Sequence, residues 1–233
     1  MARADTSPIA RPSRRSTWPG GASRMRFTDA YSASSVCSPT RFALITGRYP
    51  GRDPAGLDEP IAIHPELGIT DAPTFVQGLR SAGYQTSLVG KWHLGIQPGH
   101  SPLRHGYEQF FGFRGGADDY FTHKDPDGHP DLWDGDKAIE KHGYLTELLG
   151  DDAVKEVGRL AGSERPFLLS LHFNAPHWPW ETEKDEARAL KLKNLHDFAG
   201  GGIATYRAMV EAMDRQIGQV LQALDRSGLK ART

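Results

Sequence analysis

Residues 1–25, rich in Arg, Ser, Pro and Gly, show apolar positions with no period of 2 or 3.6 and predict no stable element. The character changes at Arg26. Residues 26–34, RFTDAYSAS, alternate apolar with polar positions and predict a short strand through Phe27 and Tyr31. Ser38 followed by Pro39 reads as a helix start, an N-cap hydroxyl and then proline at the first helical position. Phe42, Ala43, Leu44 and Ile45 carry that helix to Gly47. Cys37 therefore falls at a helix N-terminus. Asp71 and Pro73 start a second helix, in which Phe75, Val76, Leu79 and Ala82 recur at helical spacing until Gly83 ends it. Residues 84–89 then predict a strand that Gly90 terminates.

Between 95 and 149, Gly, Pro, His, aromatic and Asp residues alternate without a sustained period. A helix over 151–161 follows, and then a nearly continuous apolar run, 167–173, of the type buried on both faces of a parallel sheet. The clearest pattern is the stripe Ile203, Tyr206, Met209, Val210, Met213, Ile217, Val220, Leu221 and Leu224, which predicts a helix of roughly 35 Å with its methionines in the core. Strands alternating with helices imply an α/β fold with a mainly parallel sheet, whose sites lie at the carboxyl ends of the strands. Residues 90–93 and 174–177 fall at two such ends. No internal repeat is present.

A length of 233 residues suits one sizeable domain. Lys plus Arg at 28 against Asp plus Glu at 29 gives a net charge of -1 with no block of like charge, which argues against a nucleic-acid or anionic-membrane partner. No apolar run reaches the ~18 residues of a membrane span, and residues 1–15 lack the apolar core of a signal peptide.

Cys37 is the single cysteine, so no intrachain disulfide exists. A lone cysteine is as a rule a small buried hydrophobe, but a helix N-terminus one turn from the Arg41 guanidinium is the electropositive setting that activates a thiol. Lys91 and His93, two apart at a strand end, point to one side and suit an anion. They do not form a P-loop, because Gln85 and Trp92 stand where glycine and a hydroxyl residue are required. His172 and His177 are separated by a helix-breaking Asn-Ala-Pro, so they share no helix face for a metal and His172 reads as a core or strand residue. Asp125, Asp127, Asp131, Asp134 and Asp136 lack the glycine and glutamate of a calcium loop and read as a solvated acidic loop. Trp178 and Trp180 suit either a pocket wall or packing.

Cys37-Ser38-Pro39-Thr40-Arg41, followed by two residues, an apolar pair, Thr46 and Gly47, resembles the sulfatase signature, whose cysteine is converted after translation to formylglycine. Residues 83–93, GYQTSLVGKWH, resemble the second sulfatase signature at every constrained position. Residues 166–179, PFLLSLHFNAPHWP, resemble a third stretch of the family, in which the histidine after Ala-Pro sits at the active site. The resemblance runs from about Arg26 to the end. It implies an alkaline-phosphatase-like fold, a mainly parallel sheet flanked by helices, here incomplete. Residues 26–233 would be part of an N-terminal catalytic domain. Residues 1–25 would be a non-native start, with the composition of GC-rich DNA read in a wrong frame.

The resemblance also implies a mechanism. One hydroxyl of hydrated formylglycine attacks sulfur and displaces the alcohol, and the other is deprotonated to expel sulfate. On that basis Cys37 is the formylglycine precursor, Arg41 and Lys91 hold its oxygens and the sulfate charge, His93 is the base, and His177 stabilises sulfate or the leaving oxygen. Lys91 and His177 are the substrate-binding residues. The expected partners are a sulfate ester and a formylglycine-generating enzyme, and family members are often periplasmic or secreted. A divalent cation, usually calcium, is expected on Cys37 as formylglycine, on paired aspartates of a first strand, and on an Asp-Asn or Asp-His pair of a later one. Asp5 is the only acidic residue before Arg26, the later pair and a family lysine would follow Thr233, and Asp118-Asp119 resembles a different family segment. The chain thus reads as truncated at both ends. Two alternatives stay open: a catalytically inactive fragment or sulfate-ester-binding remnant, and a phosphate or phosphonate ester hydrolase of the same fold.

Overall fold

The computed structural model describes residues 34, 36–53, 66–69, 71–192, 195 and 201–233. The elements are α1 (Cys37–Thr46), α2 (Phe75–Ser81), β1 (Gln85–Lys91), β2 (Gln109–Phe113), the two-residue strands β3 (Trp133–Asp134) and β4 (Lys137–Ala138), α3 (Leu145–Ala161), β5 (Phe167–His172), α4 (Glu186–Ala189) and α5 (Ile203–Arg226). They form a five-stranded sheet of order β4-β3-β2-β1-β5. Its three long strands run parallel, and the β3–β4 hairpin adds antiparallel to β2. The predicted α/β class with a mainly parallel sheet is what the chain adopts.

Alternation along the strands divides the core in two. Leu88 and Phe110 face α1 and α2, where they meet Phe42, Ile45, Val76 and Trp92. Val89, Phe111 and Phe113 point the other way, to Leu145, Leu149, Val157, Met209 and Val220 of α3 and α5. Buried positions Leu145, Leu149, Ala153 and Val157 recur every four residues, so α3 lays one face on the sheet and begins six residues before the sequence prediction. Gly150 lets Gln216 of α5 approach where a Cβ would collide with it.

Several predicted boundaries move for identifiable reasons. The α1 helix begins at Cys37 with Val36 as its N-cap, because the Ser38 hydroxyl is used elsewhere, as described below. The second helix begins at Phe75, where Thr74 and Gln77 form a reciprocal capping box that outcompetes the start expected at Asp71 and Pro73. β5 is half-buried along its whole length, not buried on both faces, because among the described residues it is the edge of the sheet. In α5 the buried line runs through Met209, Ala212, Gln216, Val220 and Ala223, while Ile203 is 74% exposed and Met213 half-buried. The expected strand through Phe27 and Tyr31 and the irregular stretch 1–25 lie outside the described residues.

Gly90 does not end β1. It lies within the strand at φ +114, paired with Gly112 on one side and His172 on the other. A Cβ there would overlap the His172 carbonyl, and one on Gly112 (φ +151) would overlap the Gly90 carbonyl. Glycine at both positions lets three strands approach immediately before Lys91. Gly90→Ala is expected to destabilise the chain by about 2–5 kcal/mol in urea unfolding. Gly78→Ala in α2, where a Cβ meets nothing, should instead stabilise it by about 0.5–1 kcal/mol.

Candidate active site

Two hydrogen bonds fix Cys37 relative to the sheet. The buried Ser38 hydroxyl donates to the His93 carbonyl at 3.0 Å instead of capping its own helix. Arg41, one turn after Cys37, donates from Nη1 to the Lys91 carbonyl at 2.8 Å. Phe42 and Ile45, on the same face of α1 as Ser38 and Arg41, anchor the helix in the core. The half-buried Cys37 is thereby held at the helix N-terminus, beside the carboxyl end of β1.

Beyond β1, His93 takes φ 54, a left-handed backbone uncommon for a residue with a Cβ. Its N–H donates to the Arg114 carbonyl at 3.1 Å. The imidazole lies against Gly116, where a Cβ would stand 2.6 Å from Nε2, and Lys91 Nζ donates to the Gly116 carbonyl at 2.5 Å. Lys91 and His93 thus converge on one glycine, which sequence reasoning had not singled out. His93 is 4% exposed, and its pKa is pushed down to about 2, first by burial and then by Lys91, Arg41 and His177. All three basic groups therefore act on one neutral imidazole.

His177 sits on an exposed position of the segment 174–181, which contains cis peptide bonds before Pro176 and Pro179. Its N–H donates to the Asn174 carbonyl at 2.8 Å, and its Nδ1 lies 2.6 Å from the Trp178 carbonyl. Trp180 packs edge-on against Tyr206 with ring centroids 5.5 Å apart, so it belongs to packing.

His172, read from sequence as a core or strand residue, is a strand residue that also reaches the site. Its Nδ1 lies 3.2 Å from the Lys91 carbonyl and 3.3 Å from Arg41 Nη1, and burial followed by Arg41 pushes its pKa down to about 4. Nδ1 can donate to that carbonyl or accept from Arg41, but not both at once. The signal for His172 was register: it pairs with Gly90, the residue before Lys91.

The acidic run does not form one solvated loop. Asp131 is buried and accepts from the N–H groups of Arg114 and Gly115 and from Trp133 Nε1. Asp136 accepts from Arg114 Nη2 at 2.6 Å, and that buried guanidinium lies 3.9 Å over the Trp133 ring. Asp125, Asp127 and His129 bring ligand atoms within 4.8 Å of one another on a largely exposed turn, where Asp125 Oδ1 already accepts two backbone N–H bonds. Asp118 is fully buried, with its carboxyl pushed well up by burial and by Asp131 and Asp125, against Lys91. Asp119 caps the next turn by accepting from the N–H groups of Phe121 and Thr122. The described side chains at the α1 N-terminus and the end of β1 are Arg41, Lys91, His93 and His172, and such a cationic and nitrogen-donor set does not fit calcium, which takes oxygen ligands.

A cavity of about 520 Å³ runs along α1 past Cys37, Arg41 and Leu44 to Phe75, Tyr107 and His172. Lys91, His93 and His177 are not among its lining residues. No helix among the described residues is long and apolar enough to cross a membrane.

The family model described as Sulfatase matches residues 14–233. The chain belongs to the sulfatase family. It is 27% identical over 228 residues to the uncharacterized sulfatase YdeN of Escherichia coli (strain K12), covering 88% of this chain and 38% of that protein. It is 28% identical to N-acetylgalactosamine-6-sulfatase of Mus musculus, covering 90% and 42%. Among solved structures, Ps i-CgsB superimposes with a TM-score of 0.70 at 30% identity, covering 86% of this chain and 47% of that one. This sulfatase chain thus spans less than half the length of each of these relatives. Sulfatases in general use a metal ion and formylglycine.

The ring signals of His93 in this sulfatase chain are expected not to titrate between about pH 8 and 4 by NMR, where an ordinary histidine inflects near 6.5. Because its folded pKa lies below the unfolded value, the stability carried by neutral His93 is present above 6.5 and lost as pH falls toward 2. The stability advantage of wild type over His93→Gln should therefore shrink by about 1.4 kcal/mol per pH unit below 6.5. A His93 midpoint near 6.5 would contradict the geometry.

Proposed function

We propose that this chain carries the nucleophile and anion-binding groups of a sulfuric ester hydrolase, within residues 26–233 read as part of the catalytic domain. The observation that supports this most is the pair of hydrogen bonds that tie the helix bearing Cys37 to the end of β1, Ser38 to the His93 carbonyl and Arg41 to the Lys91 carbonyl. The anionic sulfur centre of a sulfate ester placed there meets a helix N-terminus, a guanidinium and an ammonium in a largely buried setting. Cys37 is the residue modified by a formylglycine-generating enzyme. Formylglycine supplies a hydroxyl nucleophile and, through its second hydroxyl, a route for releasing sulfate that an ordinary serine ester lacks.

The chain's own residues divide the remaining work. Arg41, held by the Lys91 carbonyl, and Lys91, held by the Gly116 carbonyl, keep fixed positive charge beside the reacting sulfur. His93 is neutral and positioned to take a proton, and a bound anion raises its basicity by offsetting the charges of Lys91 and Arg41, which add to burial in depressing it. His177, exposed on its segment, meets the sulfate or the leaving oxygen. Calcium is the ion proposed for the whole enzyme; no step above passes through it.

The chain is expressed with a formylglycine-generating enzyme, and the tryptic peptide ending at Arg41 is analysed by mass spectrometry. An aldehyde in place of the Cys37 thiol is the expected result. Turnover of a sulfate ester should exceed that of a phosphonate ester and vanish in Cys37→Ala, and Lys91→Ala or His177→Ala should lower it by about 10²–10⁴-fold. Only unmodified thiol beside an active maturase, or phosphonate hydrolysis that survives Cys37→Ala, would overturn the reading.

A further inference from the structure

The segment that carries His177 is gripped at three points by residues 118–120. Asn174 Nδ2 donates to the Asp118 carbonyl at 3.2 Å. The Tyr120 hydroxyl donates to the His177 carbonyl at 3.1 Å, and the Tyr120 N–H donates to Glu181 Oε2 at 3.2 Å. Tyr120 thus spans two residues of the segment four positions apart. Its ring is fully buried and stacks on Tyr144 with centroids 5.3 Å apart, and the Tyr144 hydroxyl donates to the Glu181 carbonyl at 2.7 Å. The result is a closed circuit running from His177 through Tyr120 to Glu181 and back along the chain.

Glu181 is the costly member of that circuit. Its side chain is fully buried, and Oε1 has no hydrogen-bond partner among the described residues. Burial and then Asp119 push its carboxyl up to about 7, with Asp185 adding to the rise and the Tyr120 N–H and Arg188 opposing it. A carboxyl group is a poor choice for filling apolar space, since a buried, half-satisfied acid destabilises a fold. What this one does is accept from the backbone of the residue that also holds the His177 carbonyl.

We propose that Glu181 is a positioning residue for His177, acting through Tyr120, so that the exposed imidazole is presented to the anion site in one place. The proposal rests on reading His177 as an anion-contacting group. Its test reads the ring and not turnover, so its failure is separable from failure of the sulfatase reading.

The chain is labelled with ¹³C at histidine, and the His177 ring signal is assigned by its disappearance in His177→Gln. Glu181→Leu and Tyr120→Phe are expected to shift and broaden the His177 signal while those of His100 and His105, on the other side of the sheet, stay in place. Glu181→Gln, which keeps an acceptor for the Tyr120 N–H, should restore the wild-type signal. If the melting temperature of folded Glu181→Leu or Tyr120→Phe falls while the His177 signal stays unmoved, the two residues serve only the fold and the proposal is overturned. The same follows if Glu181→Gln shifts His177 as far as Glu181→Leu does. Should Glu181→Leu fail to fold, Glu181→Met, which also lacks the carboxylate acceptor, takes its place, with Tyr120→Phe testing the bond to the His177 carbonyl.

Discussion

The site depends on one backbone carbonyl, that of Lys91. Arg41 donates to it at 2.8 Å and His172 Nδ1 lies 3.2 Å away, so α1, β1 and β5 meet at a single acceptor. A hydrogen bond from a charged donor is worth about 1.5–3 kcal/mol, enough to hold a short helix that caps itself with no side chain. The carbonyl can serve all three elements because Gly90 and Gly112 admit the neighbouring backbones just before it. Lys91 then sends its side chain to Gly116, and the chain turns through the left-handed residue His93 toward the same glycine. The positions of Cys37, Lys91 and His93 therefore follow from close backbone approach at one level of the sheet.

That geometry has an electrostatic consequence. Burial first, and then the charges of Lys91 and Arg41, keep the His93 imidazole neutral, while the buried acids Asp118, Asp131 and Glu181 are each tied into other work or pushed toward their neutral forms. The cluster of Arg41, Lys91 and His93 is thus short of negative charge, which is what the proposed sulfate ester, a monoanion, would bring. Such preorganisation costs folding stability and is useful only if the charge it awaits arrives.

Local sequence chemistry showed much of this. Proline at 39 and glycine at 47 bracketed α1, the apolar stripe of α5 was visible along its length, and the residue order around Cys37, Lys91 and His177 carried the family resemblance. Long-range pairing was not visible. β2 and the residues after it take their shape from partners farther along the chain, such as the Asp131 carboxylate bonded to the backbone of Arg114 and Gly115. Ser38 looked like a cap and became a tether to His93, 55 residues away. His172 gains its place only through strand register, and Glu181 only through a tyrosine on another loop. In each case the deciding contact joins segments whose sequences are unremarkable when read alone.

The central claim is that a tetrahedral anion binds where α1, the end of β1 and the His177 segment meet. The direct measurement is a backbone NMR titration of the chain with inorganic sulfate. The account predicts saturable shifts concentrated at residues 37–41, 91–93, 116 and 177, with the exposed cluster of Asp125, Asp127 and His129 unaffected. Saturable shifts centred elsewhere, or none in those four places at sulfate concentrations that saturate the rest of the surface, would contradict it.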